Sequence, residues 1–286
     1  MHLFFQELLN GLVVGSLYAL VALGLALVYG TMGIPNFAHG HLYMLGAYVA
    51  FFGITVMHVG YWPALVLAVI VLALVGIVLE RLVFRPLRDA PPVNTIIAAV
   101  GVLFTLQTLA QVLFGADFRV LPTPYDHVVH FAGLIATQQQ LLVVVAAGLL
   151  MCGLFFFLKR TLVGATIEAV AQNREGAALM GIDADRVSML VFAISAGLAA
   201  AAVSLIASIN LIYPGMGFSV ILKAFAIIVL GGMGSIPGAI VGAFVLALAE
   251  SFGATYISTS YQDVIAFGVL IVILTVRPTG LFAKAT

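Results

Sequence analysis

The feature that most constrains this chain is a series of long, uninterrupted apolar runs, at roughly 8–29, 38–57, 63–84, 93–114, 138–158, 187–210, 218–232, 236–252 and 261–276. They persist for about 15–24 positions without the alternation of a half-buried strand. In lipid every backbone N–H and C=O needs a partner inside the protein, so only helices and closed barrels span a bilayer. Barrel strands alternate over about ten residues, so continuous runs select helices. Composition agrees: 64% of residues are hydrophobic and 8% charged, against about 25% charged in a soluble domain. The expected fold class is all-α, a polytopic integral membrane protein with a single transmembrane domain over residues 1–286. It should hold about 8–9 transmembrane or re-entrant helices. The run 218–232 is short, and Gly231-Gly232-Met233-Gly234-Ser235-Ile236-Pro237 interrupts the stretch 218–252. That stretch reads as two short crossings or as one broken element.

Charge sets the orientation. Nine of the 11 basic residues fall in three blocks: Arg81, Arg85 and Arg88; Lys159, Arg160, Arg174 and Arg186; and Arg277 and Lys284. Under the positive-inside rule the loop 81–90, the segment 159–186 and the C-terminal tail are cytoplasmic. Successive blocks are separated by an even number of runs, so the assignment is self-consistent. The loop 115–137, with only Arg119, then lies outside, and a literal count puts the N-terminus outside as well. Residues 1–40 carry no basic residue to fix this, and 30–40 also reads as a re-entrant break. MHLFFQELLN lacks the positive region of a secretory signal and is read as mature chain. The net charge of zero argues against a nucleic-acid partner. The single Cys152 excludes an internal disulfide.

Several chemistries are missing from the sequence. No G-x-x-x-x-G-K-[ST] surrounds Lys159, Lys223 or Lys284, so the chain has no P-loop for ATP. There is no H-E-x-x-H, no Cys/His metal spacing and no G-x-S-x-G elbow. The expectation is a protein without enzymatic chemistry, cofactor or metal.

Five features remain. The segment 159–186 is alanine-rich and helical in propensity, with Met180-Gly181-Ile182-Asp183 as a stop and a new start. It is either a docking element or a solvated connector. Asn36-Phe37-Ala38-His39-Gly40-His41 follows Pro35 between two runs. Asn36, His39 and Gly40 line a polar substrate path, or Asn36 caps a turn. His39 and His41, two apart, would point away from each other on a helix and so make a poor metal pair. Lys223 and Glu250 lie within apolar runs, where a charge costs about 2.5–3.5 kcal/mol to insert. They either pair or reach the interface separately. Gly234, Gly238 and Gly242 recur every four residues, as do Gly11, Gly15 and Ala19, a spacing that lets helix backbones approach closely. Finally, Gly30-Thr31-Met32-Gly33 with Ala38 echoes Gly231-Gly232-Met233-Gly234 with Ala239, a faint sign of internal repetition.

Four stretches together resemble the permease subunits of ABC importers for branched-chain amino acids, the LivH type. They are Asn10-Gly11 through Leu17-Tyr18-Ala19-Leu20; Val28-Tyr29-Gly30 through Asn36-Phe37-Ala38-His39-Gly40; Glu80-Arg81 with Arg85-Pro86; and Lys223-Ala224-Phe225 through Gly238-Ala239. The tail Arg277-Pro278-Thr279-Gly280 fits too, and the likeness covers nearly the whole chain. The resemblance implies a type II ABC importer-like permease fold in a prokaryotic cell (inner) membrane. It also implies a second permease subunit, two cytoplasmic ABC ATPase subunits that bind the ATP, and an extracytoplasmic substrate-binding protein. It places the coupling segment at Leu162 to Asp183, with Glu168, Asn173, Arg174 and Gly181 as ATPase-coupling residues. Relatives often carry Arg where this chain has Glu168, so the contact with the ATPase would differ in charge. The implied function is ATP-driven import of branched-chain or related small amino acids. Urea or short amides on the same architecture, and an ion-coupled secondary transporter, are the alternatives.

Overall fold

The computed structural model describes residues 2–131, 133–277 and 280–282. Pro278, Thr279 and Lys284 of the tail lie outside the described residues. The helices are α1 (His2–Met32), α2 (His39–Thr55), α3 (Tyr61–Leu79), α4 (Pro92–Phe114), α5 (Gln138–Arg160), α6 (Leu162–Gln172), α7 (Arg174–Leu179), α8 (Ala184–Ile206), α9 (Met216–Gly231), α10 (Ile236–Tyr256) and α11 (Gln262–Val276). Seven helical stretches among the described residues are long and apolar enough to cross a membrane. Each of the nine apolar runs corresponds to one helix, and 218–252 forms two helices, α9 and α10.

Two departures have local causes. The loop 115–137 carries an antiparallel hairpin, β1 (Val128–Phe131) with β2 (Leu134–Thr137), in an otherwise helical chain. Thr137 ends it by capping α5, accepting from Gln140 N while the Gln140 side chain accepts from Thr137 N. The run expected at 187–210 is helical from Ala184, because Asp183 caps it, to Ile206. Residues 207–212 then turn to bond the loop 115–137, Leu121 N to Ala207 O and Arg119 to Ile212.

The ends of the bundle sort by contact. Gln6 near the start of α1 bonds Ile135 of the hairpin, and Ser251 near the end of α10 bonds Glu7. The α1 start therefore shares an end with the loop 115–137, as the count of runs requires. At the other end the side chains of Arg85, Arg88 and Arg174 gather around Asp185. Below, these are the hairpin end and the basic end. α1 and α8 are the most enclosed helices, packed between α10, α3 and α2, while α4, α5 and α11 form the rim.

Glycine permits the close approaches. A Cβ on Gly11 or Gly15 would fall 2.6 or 2.5 Å from side-chain atoms of Leu248 or Phe244 of α10. Gly231 and Gly238 pack backbone to backbone where α9 meets α10, and Gly242 lies against Ile227 O. Gly234 corrects the expected packing row. It stands in the turn before α10, with φ +81°, and supplies left-handed backbone rather than helix contact.

Candidate functional site

Two of the shorter helices, α2 with 17 residues and α9 with 16, lie at the centre of the bundle. Both begin inside the protein. From Met32 at the basic end the chain climbs back through 33–38, so that α2 starts beside Val21, well up the shaft of α1. From Ile212 at the hairpin end it descends through 213–215, and α9 starts against the first turn of α2. A Cβ on Gly40 would lie 2.1 Å from Gly217 O, and one on Gly217 would lie 2.5 Å from Gly40 O. The two helix starts thus cross with no side chain between them, and the helices leave toward opposite ends. Discontinuous helices of this kind line pathways in transporters.

Named residues hold the crossing. Asn36 is buried, and its Oδ1 accepts from Ala38 N at 3.0 Å, an Asx turn that aims the chain into α2. His39 is fully buried, with Nε2 3.0 Å from Val21 O and Nδ1 3.2 Å from Ser195 Oγ. A carbonyl only accepts, so Nε2 carries the proton, and Nδ1 of the neutral ring accepts from the Ser195 hydroxyl. One imidazole therefore ties α2 to α1 and α8, and in this conformation its ring faces no opening. The His41 ring points elsewhere, to Gln107 of α4 at 3.3 Å. The sequence echo marks two turns of like geometry. Gly33 (φ +69°) and Gly234 (φ +81°) are both left-handed, and a Cβ on Gly234 would come 3.8 Å from Gly30 Cα.

Beside the crossing lies a charge cluster. Lys223 Nζ is 3.0 Å from Glu250 Oε1, 2.9 Å from Asp263 Oδ1 and 3.0 Å from Tyr18 Oη, to which it donates. Tyr18 in turn donates to Glu250 Oε2 at 2.8 Å, and Gln262 Nε2 donates to the same oxygen at 3.4 Å. The Lys223–Glu250 contact lacks hydrogen-bond geometry and is a charge contact. Glu250 is only 1% exposed, so its charge relies on these partners. Lys223 and Tyr18 also form part of the wall of a cavity of about 290 Å³. A larger hollow of about 500 Å³ runs along Phe104 to Val112, but it is the flank of one rim helix and holds no charged group.

At the basic end, α6 and α7 form a bent arm. Thr161 caps α6 through Gly164 N, and Asn173 caps α7 through Gly176 N at 2.8 Å. Gly181, at φ +83°, stops the arm, and Asp183 starts α8. Backbone hydrogen bonds from Arg186 and Asp185, with the Arg186 guanidinium, hold the Asp183 carboxyl below the usual carboxylate range. Glu168 pairs with Lys159 at 2.6 Å, and Arg174 with Asp185 at 3.3 Å. The arm also exposes Leu162, Leu179 and Met180 almost fully, at 88%, 89% and 83%. Three large apolar side chains thus stand exposed on a polar, charge-flanked segment.

The family description "Branched-chain amino acid transport system / permease component" matches residues 7–274. The chain belongs to the branched-chain amino acid permease family. Among its relatives, the high-affinity branched-chain amino acid transport system permease protein BraD of Pseudomonas aeruginosa is 40% identical, over 98% of this chain and 96% of that one. The corresponding permease protein LivH of Escherichia coli strain K12 is 37% identical, with the same coverage. The solved structure of PsaBC from Streptococcus pneumoniae in complex with Fab covers 98% of this chain and 93% of its own, with a TM-score of 0.52 at 13% identity. That likeness shows a shared fold. Of the residues singled out from sequence, Lys223 and Glu250 come together, Asn36 and His39 lie buried at the start of α2 with Gly40 at its crossing with α9, and Glu168, Asn173, Arg174 and Gly181 lie along the arm. Sequence reasoning missed Tyr18 as the bridge and Asp263 as a third charge. Asp263 stands at the head of the last apolar run and was open to the same argument as Glu250.

Proposed function

We propose that this chain is the channel-forming permease subunit of an ATP-driven ABC importer for branched-chain or related small amino acids. The observation that carries the reading is family membership over residues 7–274, together with near-complete alignment to two branched-chain amino acid permeases. The geometry supports it. Two discontinuous helices meet inside the bundle, where a path can open, and an arm with exposed Leu162, Leu179 and Met180 offers a docking surface.

In this reading a second permease subunit, homologous or identical, completes the path, and two ABC ATPases bind the basic end and supply all ATP chemistry. An extracytoplasmic binding protein delivers substrate at the hairpin end. The loop 81–90, the arm 159–186 and the C-terminal tail are cytoplasmic in the inner membrane, and the α1 start is external. The arm moves with the ATPases through Glu168, Asn173, Arg174 and the Gly181 turn. Asn36, His39 and Gly40 hold the crossing at which the path opens, so their effect on substrate is through position. Substrate shifts the outward and inward states only by its different affinity for each.

The test is uptake of labelled leucine, with urea as comparator, in cells carrying this chain with and without its candidate ATPases. Leucine uptake only with the ATPases is expected. ATPase-dependent urea uptake alone would keep the architecture and change the substrate. Uptake without ATPases, abolished by collapsing an ion gradient, would overturn the importer reading.

A further inference from the structure

The cavity of about 290 Å³ lies beside the first turns of α9 and has a mixed lining. Polar Lys223, Tyr43, Asn210 and Ser219 share it with aliphatic Leu17, Ile206 and Val220. Tyr43 is 1% exposed and lines this space, so its phenol is held in place by the surrounding helices.

Building on the importer reading, we infer that this cavity holds the free substrate in transit, a small aliphatic α-amino acid bound as its zwitterion. The substrate carboxylate meets the Lys223 ammonium and the Tyr43 hydroxyl. Its ammonium donates to side-chain oxygens of the lining, those of Asn210 and Ser219, and its branched side chain lies on Leu17, Ile206 and Val220. Apolar wall and few convergent polar groups are what such a ligand requires. Ser219 and Val220 lie only a few residues beyond Gly217, so any shift of the crossing with Gly40 reshapes the cavity and releases its contents.

The sequence provides a clean probe, because Cys152 is its only cysteine. In the assembled transporter carrying Cys152→Ala, Ser219→Cys is reacted with a sulfonatoethyl thiosulfonate reagent with and without L-leucine. Leucine at ten times its half-protecting concentration should slow the reaction about tenfold. Urea and the decarboxylated amine of leucine should protect little. Adding Tyr43→Phe, which keeps the ring, should raise the half-protecting concentration about tenfold, as loss of a hydrogen bond to a charged group does. An unchanged rate at Ser219→Cys, alongside ATPase-dependent leucine uptake, would overturn the site and leave the importer reading standing. Equal slowing at Asp117→Cys, on the exposed loop at the same end, would overturn it too, since leucine would then be changing the whole complex. Protection indifferent to Tyr43→Phe would overturn the binding mode.

Discussion

Two regions of this permease are held by charges, and they differ in the medium around them. In the interior, Lys223 sits among Tyr18, Glu250 and Asp263, with Glu250 almost fully enclosed. At the basic end, Arg85, Arg88 and Arg174 share Asp185, with Arg85 and Asp185 well exposed to solvent and only Arg88, which also holds the buried Glu80, largely enclosed. The count of contacts is similar, yet the consequences are not. A buried charge that loses its partner cannot recover hydration, whereas a solvated one is rescued by water and salt. The interior cluster therefore fixes how α1, α9, α10 and α11 sit together. The basic end ties a loop and an arm together through Asp185, at a partly solvated surface.

Breaking the interior should have the largest effect. Glu250→Ala leaves Lys223 with Tyr18 and the exposed Asp263, and should cost about 3 kcal/mol, at the low end for a broken buried pair. Thermal unfolding of the purified complex measures this. Lys223→Met combined with Glu250→Met should recover part of the loss, so a double-mutant cycle with no interaction energy would show that the two residues are uncoupled. His39→Ala comes next. It removes both ties from α2 to Val21 and Ser195, and should cost about 2 kcal/mol with a matching fall in uptake per assembled complex. Normal uptake would mean that the crossing does not depend on this imidazole. Gly181→Ala forces a side chain into left-handed backbone and should cost about 1 kcal/mol, seen as faster hydrogen exchange in 174–186 with the interior unchanged. Arg85→Ala should change unfolding by less than about 0.5 kcal/mol, because its pair with Asp185 is solvated. A large effect there would erase the contrast between the regions.

The smallest effect is one of pH. The folded Asp183 carboxyl titrates below its ordinary value, so its contribution is present above that value and is lost as pH falls through the folded one. Asp183→Asn keeps a capping side chain and removes the charge. Hydrogen exchange at the α8 start should therefore differ between the two proteins at neutral pH and converge in acid. A difference that persists in acid would assign the effect to shape.

How much of this was legible in the sequence follows from the same contrast of media. Lipid demands long apolar runs, so all nine segments were readable, while their ends drifted by up to six residues, as at α1, which begins at His2 rather than 8. The Gly181–Asp183 stop and start was readable because left-handed glycine and an aspartate cap are local signals. The pairing of Lys223 with Glu250, and Asp263 with them, was open because a charge in a span needs a partner, while the bridge through Tyr18 depends on how α1 packs against α9 and α10. The meeting of Gly40 with Gly217 was invisible for the same reason: nothing near either glycine names the other. Gly234 was misplaced because its four-residue spacing imitates a helical row that begins one turn too early.

The most direct test of the central claim is reconstitution of this chain with its partner permease, ATPases and binding protein in liposomes, with ATP supplied at the basic end. Labelled leucine should accumulate against its gradient with hydrolysable ATP and not with a non-hydrolysable analogue. Accumulation by this chain without the ATPases, driven by a proton or sodium gradient, would contradict the account.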